Sequence, residues 1–183
     1  MCLICSSSLI NLNDLNQLVI ENCENVSEIP ILNGLVRLVI INCPNIIEIP
    51  ELEQLRHLFL IKCPNLITIN NLEQLIYLHI KDCINIKTIP EFNNLDHLII
   101  EDCPNVETIP VLSLLNKLYI YNNSKILTIP TLINLQQLEL IDCYNIIINS
   151  KLLQCNILHV YNCKNIKSIP EFNQLNFLFP NII

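Results

Sequence analysis

Hydrophobic positions recur along this chain with a strict period of 20 residues. The phrase L-x-x-L-x-I-x-x-C-x-N-I-x-x-I-P-x-L-x-x occurs eight times without insertion, from residues 15–34 (repeat 1) to residues 155–174 (repeat 8). Position 4 of each repeat is leucine, positions 6 and 12 are aliphatic, and position 18 is leucine or phenylalanine. Self-similarity of this kind predicts a repeat architecture.

Positions 4 and 6 share one face of a β-strand, because side chains alternate across an extended chain. A parallel neighbour can pair only after a crossover of a dozen or so residues, and the rest of each repeat has about that length. We call this connecting part of each repeat the return. It typically contains an Ile-Pro pair, which disfavours a helix. We therefore predict an open solenoid with one parallel sheet, mostly extended or turn-like returns and little helix, whose core no single repeat closes alone.

The domain limits follow from the repeat. Residues 15–174 hold the eight repeats, residues 1–14 are predicted to form a degenerate N-terminal repeat, and residues 175–183 a truncated C-terminal one. The last segment is expected to begin a strand that Pro180 stops. Neither end resembles the polar capping unit that solenoids usually need.

Several repeats depart from the pattern, and repeats 7 and 8 do so close to their junction. Repeat 7 has Asn149-Ser150 in place of Ile-Pro, and repeat 8 opens with Cys155 in place of leucine. The junction of these two repeats is therefore predicted to be the loosest part of the array.

This pattern resembles the leucine-rich repeat over almost the whole chain. The segment L-x-x-L-x-L-x-x-C-x-x-L is similar to the cysteine-type variant of that family. The segment I-P-x-L is similar to the short repeats of plant immune receptors, bacterial effectors and giant-virus proteins. The resemblance implies a curved solenoid with the parallel sheet on its concave side. It also implies a binding role, since members of the family mostly recognise other proteins.

Composition narrows the classes of function. The formal charge of −7 and ten scattered Lys and Arg residues argue against a nucleic-acid partner. No apolar run is long enough to span a membrane, and the start, MCLICSSSLI, lacks a signal-peptide pattern. We expect a cytoplasmic protein, in the host cytoplasm if it is viral or an effector. A single glycine excludes glycine-rich phosphate loops, and no catalytic motif is present, so we expect neither enzyme activity nor a cofactor.

Seven cysteines stand at position 9, just past the strand: Cys23, Cys43, Cys63, Cys83, Cys103, Cys143 and Cys163. Stacked at ~4.8 Å per repeat, they are close enough to suggest disulfides or a bound metal. A structural ladder is favoured over both, because a thiol is a small group that is easily buried. Repeat 6 has Asn123 in this position, and an amide cannot act as a thiolate. Cys2 and Cys5 form a lone CxxC pair without a second pair at zinc spacing.

Position 11 is asparagine in seven repeats: Asn25, Asn45, Asn65, Asn85, Asn105, Asn145 and Asn165. We predict that these amides satisfy backbone groups that the bend would otherwise bury unpaired.

Outward strand positions carry the candidate binding residues. All four histidines and four of the five tyrosines fall on them. Because contiguous exposed aromatic residues mark interaction surfaces, we predict a partner-binding site on the concave face. Its residues are Val39, Phe59, Tyr77, His79, His97, Ile99, Tyr119 and Tyr121. The alternatives are the general preference of sheets for such residues, an oligomer contact, or a metal site of His57, His79 and His97 that lacks a fixed carboxylate.

Charge on that face is expected to be mixed. Lysines 62, 81 and 117 are predicted to face Asp82, Asp102, Asp142, Glu101 and Glu139. The C-terminal half is the more acidic, so it would attract a somewhat basic partner.

These features favour a non-catalytic scaffold that binds a protein partner through its concave face. Two alternatives remain: the recognition arm of a ubiquitin ligase or similar complex, and a structural protein that assembles with itself. The identity of the partner and the oligomeric state are left open.

Overall fold

A computed structural model describes residues 15–148 and 152–166, together with the backbone of residues 177–181. The described chain is a parallel β-solenoid with 20 residues per turn, and no helix occurs in it. The predicted fold class is thereby confirmed. The expectations for residues 1–14, including the CxxC pair, lie outside the described residues, as does the predicted loose junction at residues 149–151.

The described chain forms nine five-residue strands and two short ones on the return side. In chain order they are β1 (Gln17–Glu21), β2 (Arg37–Ile41), β3 (Glu48–Ile49), β4 (His57–Ile61), β5 (Thr68–Ile69), β6 (Tyr77–Lys81), β7 (His97–Glu101), β8 (Lys117–Tyr121), β9 (Gln137–Ile141), β10 (Ile157–Tyr161) and β11 (Phe177–Asn181).

The nine long strands form one parallel sheet in the order β1-β2-β4-β6-β7-β8-β9-β10-β11. Each residue pairs with the residue 20 positions later, as Leu38 does with Leu58. This register follows from the fixed repeat length, because every strand begins at position 3 after the same number of residues. Equivalent side chains therefore stack in columns along the solenoid.

The core lies between the sheet and the returns. Leu38 and Ile40, at positions 4 and 6, are fully buried, whereas Val39 between them is partly exposed. This alternation is the strand periodicity that the sequence predicts. The returns supply the other half of the core through residues such as Leu52 and Leu66. The buried side chains form one cluster through the described repeats, as expected of a solenoid whose units cannot close alone.

The returns are extended, as the Ile-Pro pair predicts. Strands β3 and β5 pair in parallel, and Thr88 and Thr108 form an isolated parallel bridge at the equivalent position two repeats later. The second sheet is short because each return straightens for only a few residues before it turns towards the next strand.

Position 8 is a left-handed corner in all eight repeats. Its residues have φ between 50° and 54° and are Asn22, Asn42, Lys62, Asp82, Asp102, Asn122, Asp142 and Asn162. Asparagine and aspartate tolerate this conformation better than other residues with a side chain beyond Cα, which explains why a chain with one glycine can turn eight times. The corner was not predicted, although Asn or Asp recurs at this position in seven repeats.

Repeat 7 shifts its return by one residue. In repeat 6 the position 15 side chain, Ile129, is buried and Thr128 before it is exposed. In repeat 7, Ile148 at position 14 is only 7% exposed, and Ile147 at position 13 is 48% exposed. Thr128 accordingly bridges to Ile147 and not to Ile148. Ile148 thus fills the core position that isoleucine at position 15 fills elsewhere.

The prediction that Pro180 stops the last strand is wrong. Strand β11 continues through it to Asn181, with Pro180 opposite Val160. N–H groups alternate in direction along a strand, and the position 8 N–H of Asn22 donates to Ile41 of the next repeat. The backbone nitrogen at position 6 points the same way, towards the next repeat. Pro180 occupies position 6, so its nitrogen points to the side of β11 on which the described sheet has no further strand. Its missing donor therefore costs no ladder hydrogen bond there.

Candidate interaction face

Positions 3, 5 and 7 of the strands form the side of the nine-stranded sheet that points away from the core; we call it the sheet face. It is the face that the sequence predicts to be concave. The eight predicted binding residues all lie on it, and each is partly exposed. They are only partly exposed because neighbours stand one strand spacing away, ~4.8 Å, on both sides of every column.

Five rings in three adjacent strands make a continuous contact surface, the aromatic cluster: His57, Phe59, Tyr77, His79 and His97. The rings of Phe59 and Tyr77 lie 5.0 Å apart between centroids, and Tyr77 stacks on His97 at 5.8 Å. Phe59 meets the His79 ring edge-on at 6.3 Å. These separations fall within the favourable range for aromatic pairs, so the cluster is already packed before any partner binds.

A cation borders the aromatic cluster on its N-terminal side. The guanidinium carbon of Arg37 lies 4.4 Å from the centre of the Phe59 ring, within the range of a cation–π contact. Arg37 and Phe59 occupy neighbouring columns, positions 3 and 5 of successive repeats. The contact of Arg37 was not predicted, because the stacking of equivalent positions in columns does not show contacts between neighbouring columns.

Tyr119 and Tyr121 form a second group farther along the sheet face. Their ring centroids are 6.5 Å apart, and the neighbouring strand brings Glu139 beside them. Burial and the Glu139 carboxylate, which interacts with the hydroxyl, raise the pKa of Tyr121 well above its usual value. Burial also raises the pKa of Tyr119. Both phenols are therefore neutral hydrogen-bonding groups at any physiological pH.

Three histidines of the sheet face have a carboxylate neighbour. Nε2 of His79 is 3.7 Å from Oε2 of Glu101, and Nδ1 of His159 is 3.4 Å from Oε1 of Glu139. His97 contacts the carboxylate of Asp96.

His79 is the most enclosed of these side chains. Its Nε2 atom is buried and has no hydrogen-bond partner among the described residues. Burial lowers the pKa of His79, and the nearby Glu101 only partly opposes this effect. The His57 pKa is also lowered, by burial and then by Arg37 and Arg56. Both imidazoles are thus held towards their neutral forms.

The charges on the sheet face are fewer than predicted. Lys81 donates to Oε1 of Glu101 over 2.6 Å, so these two neighbours largely neutralise each other. Four of the predicted face residues are instead at the left-handed corner beyond the strand ends: Lys62, Asp82, Asp102 and Asp142. The prediction for these four residues is wrong because the strand alternation ends at position 7, before the corner.

The position 9 cysteines lie in the core and away from the sheet face. All seven are buried, and no disulfide joins them to one another or to the buried Cys155. The Sγ atom of Cys83 donates to the carbonyls of Leu60, 23 residues earlier, and Lys81, at 3.5 and 3.4 Å. Cys143 makes the same pair of contacts at 3.4 Å each. Burial raises the pKa of Cys103 to about 11, so this thiol stays protonated as the hydrogen-bond donor.

Four of the position 11 asparagines link successive repeats: Asn45, Asn65, Asn105 and Asn145. Nδ2 of Asn65 donates to the carbonyl of Pro44 over 2.9 Å, and Asn145 donates to Ser124 over 2.8 Å. They satisfy backbone groups as predicted, but the bonded carbonyl belongs to the preceding repeat. These two asparagines are also exposed, whereas we predicted a buried bend. These hydrogen bonds therefore strengthen the contact between successive repeats, and they do not pair backbone groups of a buried turn.

Among the described residues, no group of three or more His, Cys, Asp or Glu side chains is placed to hold a metal ion. In the same residues we find no helix with the length and hydrophobicity of a membrane span.

Comparison with known proteins does not assign this chain to a family, so its classification rests on the fold. No protein-family model, curated protein or solved structure matches this chain. The parallel sheet and the register of 20 residues define a β-solenoid built from repeats.

Proposed function

We propose that this chain is a leucine-rich repeat protein that binds a protein partner through its sheet face and has no catalytic role of its own. The observation that carries the proposal is the aromatic cluster, in which Phe59, Tyr77 and their histidine neighbours touch in sequence across three strands. The family assignment is supported by the eight copies of the repeat phrase and by the solenoid geometry.

The aromatic cluster suits a binding surface for a physical reason. Aromatic side chains present large contact areas and lose few rotatable bonds on binding. Here the rings also pack against one another, with Tyr77 held between Phe59 and His97. The side chains therefore lose little conformational entropy when a partner binds. The rigid sheet beneath them keeps their spacing constant.

The proposed setting is the reducing cytoplasm. The eight described cysteines are buried, and no disulfide joins any two of them. A stack of thiols at neighbouring positions is compatible with a compartment that keeps thiols reduced.

Affinity capture with a sheet-face variant tests the proposal. We expect the triple variant Phe59→Ala, His79→Ala, Tyr119→Ala to lose the partners that the wild-type chain retains from cell extract. A matched triple variant on the return side, Ile47→Ala, Ile67→Ala, Leu127→Ala, should retain them, because these side chains are exposed and lie outside the sheet face. Circular dichroism and thermal melting establish that both variants are folded.

Retention of the same partners by the sheet-face variant would refute the proposal, since the aromatic cluster would then be dispensable. Loss of partners from the return-side variant alone would place binding on the opposite side of the solenoid.

A further inference from the structure

The turns that connect each return to the next strand form a surface of their own, separate from the sheet face. We call the row of positions 17, 19 and 20 the turn edge. In repeats 2 to 4 this edge carries carboxylates, and in repeats 5 to 7 its described side chains are apolar or uncharged. Lys151, at position 17 of repeat 7, lies outside the described residues. The change occurs along the solenoid axis, within one continuous row of side chains.

The acidic half contains four exposed glutamates: Glu51, Glu53, Glu73 and Glu91. Among the described residues, none of the four forms an ion pair with Lys, Arg or His. Arg56, which lies between Glu53 and Glu73 in the sequence, makes no such pair with them either. Three of the glutamates border a surface cavity of about 270 Å³ between repeats 2 and 3, with Gln54, Asn71 and Gln74 as its other walls. The acidic half is therefore a concentration of uncompensated negative charge.

The apolar half is exposed to a degree that is unusual for aliphatic residues. Val111, Leu114, Ile133 and Leu153 are between 44% and 64% exposed. Ile133 and Leu153 form the apolar walls of a cavity of about 460 Å³ between repeats 6 and 7, and Thr131 and Gln154 are the other described residues that line it. A contiguous apolar surface of this kind is typical of a contact site.

A second copy of this chain fits the turn edge poorly. A two-fold axis perpendicular to the solenoid would place the glutamates of one copy on the apolar half of the other. A two-fold axis along the solenoid would place glutamates against glutamates. In the first arrangement the described residues of the apolar half offer the glutamates no cation, and in the second arrangement like charges meet, so both contacts cost free energy. An anionic membrane is likewise repelled by the acidic half.

We propose that the turn edge binds a segment of a different protein that carries Lys or Arg at one end and aliphatic or aromatic side chains at the other. Its cationic end meets Glu51, Glu53 and Glu73, and its apolar end fills the cavity between Ile133 and Leu153. The two cavities are four repeats apart, which corresponds to ~19 Å at ~4.8 Å per parallel strand. A helix of about 13 residues spans that distance. This surface is independent of the sheet face and of the function proposed for it.

A synthetic peptide tests the proposal directly. The probe is a fluorescent helical peptide of about 14 residues with lysines in its first half and leucines in its second. Its controls are a peptide with glutamate in place of each lysine and one with lysines throughout. Fluorescence anisotropy with the full chain should show the strongest binding for the lysine–leucine peptide, and added salt should weaken it because the acidic half is exposed.

Matched variants locate the binding on the chain. We expect Glu53→Gln with Glu73→Gln, and Ile133→Gln with Leu153→Gln, each to weaken binding of the peptide by about tenfold. The control variants are Glu48→Gln and Ile67→Gln, which alter an exposed carboxylate and an exposed isoleucine on the return side and should change binding by less than about twofold.

Three results would overturn the proposal. In the first, the glutamate peptide binds as tightly as the lysine–leucine peptide. In the second, both turn-edge variants bind like the wild-type chain. In the third, light scattering shows a dimer of the wild-type chain that the Ile133→Gln, Leu153→Gln variant abolishes, which would identify a second copy as the occupant.

Discussion

The side-chain amide of Asn123 donates a hydrogen bond to the backbone carbonyl of Cys103, one repeat earlier, over 2.8 Å. Its oxygen accepts from the backbone N–H groups of Lys125 and Ile126, at 3.1 and 2.9 Å. In repeat 5, a cysteine repeat, the N–H equivalent to that of Ile126 belongs to Val106 and donates to the main-chain carbonyl of Cys103. The asparagine side chain thus takes over the role of a main-chain carbonyl in repeat 6.

This relationship predicts the effect of replacing Asn123. Alanine leaves the carbonyl of Cys103 and the N–H groups of Lys125 and Ile126 without this partner inside the core, so we expect Asn123→Ala to lower the free energy of unfolding by about 2–4 kcal/mol. Asn123→Cys should cost less, about 1 kcal/mol, because the cysteine turn of the other repeats becomes available. Urea unfolding measures both values. Equal destabilisation by alanine and cysteine would contradict this account.

Lys62 is the exception among the left-handed corners. It has φ of 54°, in a conformation that asparagine and aspartate adopt more readily than lysine. We expect Lys62→Asn to raise the free energy of unfolding by about 0.5–1 kcal/mol, since the replacement relieves backbone strain without altering the exposed surroundings. Chemical denaturation of the variant checks the value.

The reverse change at the neighbouring corner is the matched control. Asn42 has φ of 53° and donates through Nδ2 to Asn22 over 2.8 Å. Asn42→Lys should therefore destabilise the chain. If both substitutions at these corners left stability unchanged, the left-handed conformation would not be the cause.

The shifted return of repeat 7 predicts different outcomes for two adjacent isoleucines. Ile148 is buried and Ile147 is exposed, so Ile148→Asn should lower the free energy of unfolding by about 2–4 kcal/mol while Ile147→Asn changes it by less than about 0.5 kcal/mol. Without the shift, position 14 would be exposed, as Thr128 is, and both substitutions would be tolerated. Thermal and urea unfolding of the two variants distinguish the arrangements.

The period of the sequence was sufficient to predict the strands, their inward positions and the parallel sheet, because a fixed repeat length permits only one register. It was also sufficient to place Phe59, Tyr77 and Tyr119 on the sheet face. The period could not predict the ring contacts, because these depend on side-chain rotamers and on contacts between neighbouring columns, such as that of Arg37 with Phe59.

The other omissions have different physical causes. The left-handed corner could have been predicted from the recurrence of Asn or Asp at position 8. It was missed because the spacing of hydrophobic residues carries no information about backbone dihedral angles at polar positions. The shift in repeat 7 brings Ile148 into the core in a repeat whose position 15 is asparagine and not isoleucine, and a strict period of 20 does not predict that change. The turn edge was not predicted because its residues are 20 positions apart in the sequence and become neighbours only when successive repeats stack.

The cysteine ladder predicts thiols that react only after unfolding. In a Cys2→Ser, Cys5→Ser variant the eight described cysteines remain, all buried. The thiolate is the reactive form, and burial raises the pKa of Cys103 to about 11 and also raises that of Cys155. Hydrogen bonds from Cys83 and Cys143 lower the pKa values of Cys63 and Cys163, so burial alone protects these two thiols. We expect no reaction with an aromatic disulfide reagent at neutral pH until denaturant is added, and then eight equivalents. Rapid reaction of the folded chain would show that the ladder is accessible.

The lowered pKa values of His57 and His79 predict a loss of stability in mild acid. Both lie below the ordinary value of 6.5 in the folded chain, chiefly because burial disfavours the charged imidazole. As the pH falls below 6.5 the unfolded chain binds protons before the folded chain does, so the free energy of unfolding decreases, and above that pH the effect is absent. Urea unfolding between pH 8 and pH 5 should show a smaller decrease for His57→Gln with His79→Gln than for the wild-type chain. The comparison at pH 8 isolates any change due to packing alone, and NMR titration of the two imidazoles measures the shifts directly. If wild-type and variant chains lost stability in parallel over this range, these two histidines would not be the groups responsible.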